Sequence, residues 1–415
     1  MASRAAHAGG ERGGFCGRGE DSDQGRPGCD KDPLRSRCPQ GHELKVEINT
    51  DRLISTFIEL CEIPSPSARE GRVGDYIRRR VEGFGLEVAE DGAGQELGSD
   101  TGNLLIRYDR GQGERLFLLA HMDTVPVSED DSVSVVVTGD RIHTGGRSVL
   151  GADDKAGVAA ALEILALSVE HPEGARPLDV IFTIKEEQGA QGAAFFDVSA
   201  IPSRSGFNLD GETPVYTAIR QAPFKSRYRV VVYGKSAHAA VNPEDGINAV
   251  KILGSIIYRL PSGRLSEDST ANLGSIDGGG QTNIVPEQAE LCGEIRSLAE
   301  ESLNLLKREI EEISREEAAL SGGRVDIFWE DLYRGYFVGE DELCIRLFIR
   351  ACGEKGRDPV LKTSLGGGDS NTFNNRGRRN IVFGLGMRNI HSNEEYILKS
   401  DLSEAVTLLK DIVFH

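Results

Sequence analysis

The stretch Leu116-Phe-Leu-Leu-Ala-His121-Met-Asp123-Thr-Val-Pro126 restricts the possible fold more than any other part of the chain. Its opening residues are continuously apolar, which reads as a strand buried on both faces of a parallel sheet. His121 and Asp123 stand at the end of that strand, and Pro126 stops the element. Two positions apart on a strand, the pair points to one face. In open α/β sheets ligands bind beyond the carboxyl ends of the strands, so this pair lies where chemistry is usually found. An imidazole there can hold a metal ion while the carboxylate fixes its orientation and raises its basicity.

The elements around this strand repeat the arrangement. Leu53, Ile54, Phe57, Ile58 and Cys61 fall at helical spacing, and Ile63-Pro64-Ser65-Pro66 ends that helix. A second helix runs to about Gly83, and Asn103 to Tyr108 reads as a strand. Leu150 to Gly157 is a loop feeding a helix with Val158, Leu162 and Leu165 on one side. The strand Val180 to Ile184 runs into Lys185-Glu186-Glu187-Gln188-Gly189, and a strand near Phe207 to Leu209 ends at Asp210-Gly211. The pattern then changes. Tyr228 to Tyr233, Asn272 to Ile276, Ala289 to Arg296 and Arg324 to Trp329 read as strands, interleaved with a helix from Gly246 to Leu260 and another carrying Leu303, Leu306, Ile310 and Ile313. That β-α-β-β-α-β order is a ferredoxin-like split unit. From Gly339 the alternation resumes, and the late strand Ile381 to Leu385 leads to His391. The expected organisation is a tail over residues 1–45, a catalytic domain over 46–223 and 337–415, and an inserted domain over 224–336.

Composition narrows the partners. A net charge of −18 disfavours nucleic acid and anionic membrane. No apolar run approaches the roughly 20 residues that span a bilayer, and the first residues lack the apolar core of a signal peptide. Seven cysteines at irregular positions in 415 residues argue for reduced thiols and a cytoplasmic protein. The tail is rich in Gly, Arg, Asp and Ser and reads as disordered; its Cys16, Cys29, Cys38 and His42 fit no compact zinc module.

Five segments thus place metal-binding side chains just beyond strands or at helix starts: His121 with Asp123, Asp153 with Asp154, Glu186 with Glu187, Asp210, and His391. Carboxylates with two imidazoles suit a pair of zinc-like divalent ions. A two-metal centre needs one carboxylate shared between ions roughly 3.5–4 Å apart, a carboxylate and a histidine for each, and a free carboxylate as base. The set here supplies all of these, with Asp154 left over.

The segments His121 to Pro126, Gly151-Ala-Asp-Asp-Lys-Ala-Gly157, Lys185-Glu-Glu-Gln-Gly-Ala190, Leu209-Asp-Gly211 and Asn389-Ile-His-Ser-Asn-Glu-Glu395 resemble those of the M20 metallopeptidases. Gly366-Gly-Gly-Asp-Ser-Asn371 and the run into His391 are most similar to the peptidase T-like branch. The resemblance covers about residue 47 to the C-terminus. It implies that Asp153 bridges two metals, that His121 and Asp210 complete one and that Glu187 and His391 complete the other. It also makes Glu186 the general base and Asp123 the residue that orients His121, with Asp154 outside the ligands. In the inserted domain the resemblance assigns His238, within Ser236-Ala-His-Ala-Ala240, to the active site of a partner subunit. Asn283 and Arg296 match positions that bind substrate polar groups, and an arginine fork suits a carboxylate. Gly366 to Gly368 lack the strand and helix context of a dinucleotide loop. The backbone N–H groups of Gly367 and Gly368 suit a peptide carboxylate or oxyanion instead.

The fold expected is therefore an α/β di-zinc exopeptidase domain with a mixed, mainly parallel sheet, plus an α+β ferredoxin-like lid that pairs two subunits into a homodimer. The expected activity is a metal-dependent aminopeptidase on short peptides, using two divalent ions, zinc with cobalt or manganese as alternatives. An M20 amidohydrolase or dipeptidase acting on N-acyl amino acids or dipeptides shares every catalytic residue. A non-catalytic peptide-binding homologue would have lost a ligand or the base, and neither is lost.

Overall fold

The computed structural model describes residues 46–127 and 132–414. The tail, with Cys16, Cys29, Cys38 and His42, lies outside the described residues. Among the described residues a nine-stranded sheet forms the larger part of the fold. Its centre is Leu178–Thr183, Leu116–His121, Ser205–Gly211 and Arg379–Gly384, all parallel to one another. Antiparallel strands flank them: Leu104–Tyr108 and Val88–Glu90 on one side, Thr217–Ala222 and Tyr336–Phe337 on the other. Val360–Thr363 adds to Thr217–Ala222 in parallel. The mixed, mainly parallel sheet is as expected.

The apolar run explains the layering. Leu116, Leu118 and Ala120 enter one core, which also takes Leu178, Val180 and Phe182. Phe117 and Leu119 enter a second core on the opposite face with Ile181, Phe196 and Phe373. Burying each such large side chain stabilises the fold by roughly 1.5–3 kcal/mol. The first helix, Thr50–Cys61, begins where the Asn49 side chain accepts the Arg52 N–H at 3.0 Å. Arg52 then pairs with the buried Glu163 at 2.6 Å, tying that helix to Ala152–Glu170.

The Ala152–Glu170 helix departs from the one-sided expectation. Every residue from Ala152 to Ser168 is buried. Runs such as Ala159-Ala-Ala161 let neighbours approach on all faces, so the helix packs against the sheet, the first helix and Lys399–Val413. Asp153 and Asp154 lie outside helical backbone geometry, so the regular helix begins after them.

The chain leaves the large sheet at Pro223 and re-enters it at Arg334–Gly335. Between these crossings, a second sheet has the strand order Gly263–Ser266, Ser269–Gly278, Gln288–Ser297, Phe224–Tyr233, Arg324–Tyr333. Its four long strands have the 4-1-3-2 order of a ferredoxin-like unit. The Gly263–Ser266 edge strand is an addition with no sequence pattern of its own. Helices Ala249–Arg259 and Glu300–Leu320 enclose a separate core with Val230, Val232, Leu291 and Ile295. The first of these starts three residues later than the periodicity suggests, because the Asn248 side chain caps it by accepting the Lys251 N–H. A small third sheet joins Tyr396–Leu398, Arg141–His143 and Val136–Thr138. Among the described residues no helix is long and apolar enough to cross a membrane.

Candidate metal centre

Because four parallel strands point the same way, their carboxyl ends deliver His121, the Thr183-to-Glu187 turn, Asp210 and the segment after Gly384 to one edge. His391 arrives on a loop closed by paired backbone hydrogen bonds between Arg388 and Tyr396. It adopts a left-handed φ of 60°, which costs a non-glycine residue on the order of 1–2 kcal/mol. Asp153 comes from the start of the buried helix, after Gly151, whose φ of 73° and close approach to Thr124 both favour glycine.

Asp153 is the meeting point. Its Oδ1 lies 3.0 Å from His121 Nε2 and its Oδ2 lies 3.1 Å from His391 Nε2. Asp210 Oδ1 stands 3.8 Å from His121 Nε2, and Glu187 Oε1 stands 2.9 Å from His391 Nε2. One carboxylate thus faces both imidazoles, and each imidazole has a second carboxylate of its own. His121 Nδ1 donates to the Asp123 carbonyl at 3.0 Å, with the Asp123 carboxylate at 3.4 Å. In the neutral ring this arrangement leaves Nε2 free to ligate an ion. Orientation of His121 therefore comes first from the Asp123 backbone and only secondarily from its carboxylate. The carboxylate is engaged elsewhere: it accepts the N–H groups of Glu186 and Glu187 at 2.9 and 3.2 Å and the Ser67 hydroxyl at 2.6 Å.

Asp154 is close enough to His121 and Asp210 to share an ion with them. Its two oxygens, however, accept the backbone N–H of His121 and of Gly157, each at 3.1 Å. It is a buried anchor at the start of the helix.

Several residues that sequence reasoning left unassigned hold this constellation. Glu395 is buried and accepts the N–H groups of Gly151 and Asp153 at 2.7 and 3.1 Å. Burial pushes its carboxyl up to about 7. Glu70 accepts the N–H of Lys185 at 3.0 Å, pinning the left-handed residue before Glu186. Asn103 accepts the Ile184 N–H at 3.0 Å on the same turn. Thr183 donates to Asp369, which burial pushes up to about 6. Glu395 and Asp369 belong to the quoted Asn389–Glu395 and Gly366–Asn371 segments, and an acid inside such a segment was the available signal.

The electrostatics of the centre favour cations. Burial opposes charge on His121, yet hydrogen bonds to Asp123 and Asp153 raise its pKa well above the ordinary value. Hydrogen bonds to Asp153 and Glu187 raise that of His391 to about 10. Burial, and then the crowding of like charges, raises Asp210 and Glu186 well above the carboxylate range. So many carboxylates this close need positive charge between them, which protons or divalent ions supply. Oxygen and imidazole donors in this ratio fit two zinc-like ions.

A cavity of about 300 Å³ opens over the centre. Asp153, Glu186, Glu187, Asp210 and His391 form one wall. The inserted sheet supplies Arg296, Lys225 and Tyr333, which are register partners across three adjacent strands. Gly366, Gly367 and Gly368 also line it. A Cβ at Gly368 would come within 2.1 Å of Glu186 Oε1, so a side chain there would push that carboxylate aside. His238 and Asn283 are brought together but not to this cavity: Ala239 N–H donates to the Asn283 carbonyl, and both side chains are exposed.

Comparison with known proteins gives the family. A model of the peptidase dimerisation domain matches residues 225–321, and one of peptidase family M28 matches residues 103–241. The uncharacterized protein YqjE of Bacillus subtilis is 32% identical over 367 residues, spanning 88% of this chain and 98% of that protein. The aminopeptidase PepT of Bacillus cereus is 30% identical with a TM-score of 0.80, and a tripeptidase of Staphylococcus aureus is 28% identical with a TM-score of 0.83. Each alignment covers 88% of this chain and 98% of the solved one. The dimerisation-domain match, these full-length relatives and the metal-type constellation at the strand ends make the chain a peptide-bond hydrolase of the M20 metallopeptidase family, on its peptidase T-like branch.

Proposed function

We propose that this protein is a two-metal exopeptidase, an aminopeptidase releasing residues from short peptides. One ion would be held by His121, Asp153 and Asp210, and the other by Glu187, Asp153 and His391. The observation that carries this reading is the Asp153 carboxylate, which turns one oxygen to each imidazole. When bound, such ions supply an acidified water and polarise the scissile carbonyl.

The chain's own residues do the rest. Glu186 has no part in either ligand set, which leaves its carboxyl free to act as a base, and burial raises its pKa. It takes the proton of the attacking water and passes it to the leaving amine. Asp123 keeps His121 in the ligating tautomer and holds the Glu186 backbone in place. The Gly367–Gly368 backbone and the row of Arg296, Lys225 and Tyr333 line the side where a peptide carboxylate would lie.

Residues 224–336 act as an inserted lid that pairs two subunits. His238 Nδ1 accepts the N–H groups of Ala240 and Val241 at 3.1 and 3.2 Å, so the neutral ring carries its proton on Nε2. An exposed Nε2–H donor away from its own cavity suits the oxyanion in the site of a second copy. A cationic row beside the metals would hold the carboxylate of an N-acyl amino acid equally well, which keeps the amidohydrolase reading as the second one.

The test is hydrolysis of di- to tetrapeptides and N-acyl amino acids by wild type and Glu186→Gln. We expect peptide cleavage from the amino end, a fall of about 10²–10⁴-fold in turnover for the variant, and unchanged metal content. A metal-free Glu186→Gln protein would make Glu186 a ligand rather than the base.

A further inference from the structure

Asn371 lies at the third position of the short helix Asp369–Asn375 and is fully buried. Its side chain uses every polar group it has. Oδ1 accepts the Gly368 N–H at 3.1 Å, and Nδ2 donates to the carbonyls of Pro223 at 3.0 Å and Arg334 at 2.8 Å. These three partners are far apart in sequence and have distinct roles. Pro223 is the residue at which the chain leaves the large sheet for the inserted one, and Arg334 is at the return crossing. Gly368 is the glycine whose backbone lies against Glu186.

We infer that Asn371 is a positioning residue that couples the seat of the inserted domain to the backbone facing the general base. The inference rests on the reading of Glu186 proposed above. A primary amide is the side chain that fits: it offers two donors to two carbonyls and one acceptor to an N–H, all in one plane. Asn375 shares only the structural half of this arrangement. Its Nδ2 donates to the carbonyls of Arg334 and Gly335 at 3.1 and 3.3 Å and to that of Asn371 at 2.8 Å, but it makes no bond to the glycine loop. Arg296 ties the loop from the other side, donating to the Leu365 carbonyl at 3.1 Å. The loop is thus held by the inserted sheet through Arg296 and by both crossings through Asn371. A shift of the inserted domain would be transmitted to Gly368, and a Gly368 displaced by even about 1 Å would disturb reactive geometry at Glu186.

The coupling predicts a specific kinetic pattern. Asn371→Ala leaves the metal ligands untouched and removes the joint. Its kcat should fall at least tenfold, because the disturbed base acts in the transition state, and KM should rise as well, because the same Gly367–Gly368 backbone lines the side where a peptide carboxylate would lie. Asn375→Ala should melt at a lower temperature yet retain kcat within about twofold. Hydrogen exchange, which needs no turnover, reads the joint directly. In Asn371→Ala the peptides covering 364–372, 221–228 and 333–338 should all lose protection together, whereas Asn375→Ala should affect 333–338 alone. Asn371→Asp keeps the Oδ1 acceptor but sets a carboxylate oxygen against two carbonyls, and serves if the alanine variant fails to fold. It should retain protection at 364–372 while losing it at the crossings.

The inference is overturned if folded, metal-loaded Asn371→Ala keeps wild-type kcat. It is equally overturned if exchange rises only in the glycine loop and the crossings stay protected. Wild type inactive on every peptide and N-acyl amino acid would instead sink the proposed function, while the exchange pattern would still test the joint.

Discussion

His121 and His238 are held in opposite ways, and under the proposed function the difference separates a finished site from half of one. His121 is buried, its Nδ1 is fixed by the Asp123 carbonyl and its Nε2 meets the Asp153 carboxylate. Behind it stand further buried acids, Asp154 and Glu395, whose oxygens take up backbone N–H groups. A centre supported this deeply is preorganised within one chain. His238 is exposed, its ring accepting through Nδ1 the N–H groups of Ala240 and Val241, and it stands next to Asn283 rather than at the cavity. Its surroundings supply a donor and no reaction partner. A second copy would complete that half.

The largest effect should come from breaking the finished site at its centre. Asp153→Ala removes the carboxylate facing both imidazoles, so two ions held there, as proposed, would face each other with less negative charge between them. We expect loss of metal and of all measurable activity, read by elemental analysis and peptide hydrolysis. Asp154→Ala should instead retain metal but lose stability, by roughly 1–3 kcal/mol for each buried N–H left without a partner. Metal loss confined to the Asp154 variant would reverse the two roles.

The half-site is broken by His238→Ala, which should remain folded, dimeric and metal-loaded while losing most of its activity. Mixing it with His391→Ala and allowing subunit exchange should restore activity. In a mixed dimer one site joins an intact metal centre to a donated His238. Recovery should reach at most about one quarter of wild type, since random mixing makes half the dimers mixed and each has one good site of two. Confirmed exchange with no recovery would confine His238 to its own chain or to no role at all.

The contrast also explains what could be read from the sequence. Apolar runs that end in His121, Glu186 or Asp210 announce strands with polar ends, and a parallel sheet then brings those ends to one edge without further information. The ferredoxin-like order follows likewise from long strands and helices. The supporting shell was hidden. Glu70, Asp154 and Glu395 look like solvated acids until the fold buries backbone N–H groups against them. The Ala152–Glu170 helix reads as one-sided because alanine is neutral in a helical pattern, and only packing shows that all its faces are covered. Strands of three residues, such as Arg141–His143, carry no period to detect.

That hidden shell gives the next effect in size. Glu395→Gln keeps the shape but replaces one oxygen with an amide that cannot accept an N–H from Gly151 or Asp153. Losing such support for a ligand costs about 10–100-fold in metal affinity. Competition with a coloured chelator would measure it. Unchanged affinity alongside a lowered melting temperature would make Glu395 a stability residue and no more.

The smallest effect tests a place between the two regions, the row that the inserted sheet contributes to its own chain's cavity. Lys225 and Arg296 are partners across neighbouring strands, and both pair with Glu294, at 3.0 and 2.8 Å. Two cations sharing one carboxylate leave positive charge facing the cavity beside the acidic metal wall. Burial lowers the pKa of Lys225, as expected where an ammonium has given up water and gains from an incoming anion. In Lys225→Met the stem and its packing persist while the charge goes, and Arg296 still satisfies Glu294. One charge-assisted contact in a half-open site is worth about 0.5–1.5 kcal/mol, so KM for peptides with a free C-terminal carboxylate should rise about 3–10-fold, with kcat little changed. Peptides ending in an amide should show no such rise. If both substrate classes respond alike, Lys225 braces the sheet and the carboxylate is held elsewhere.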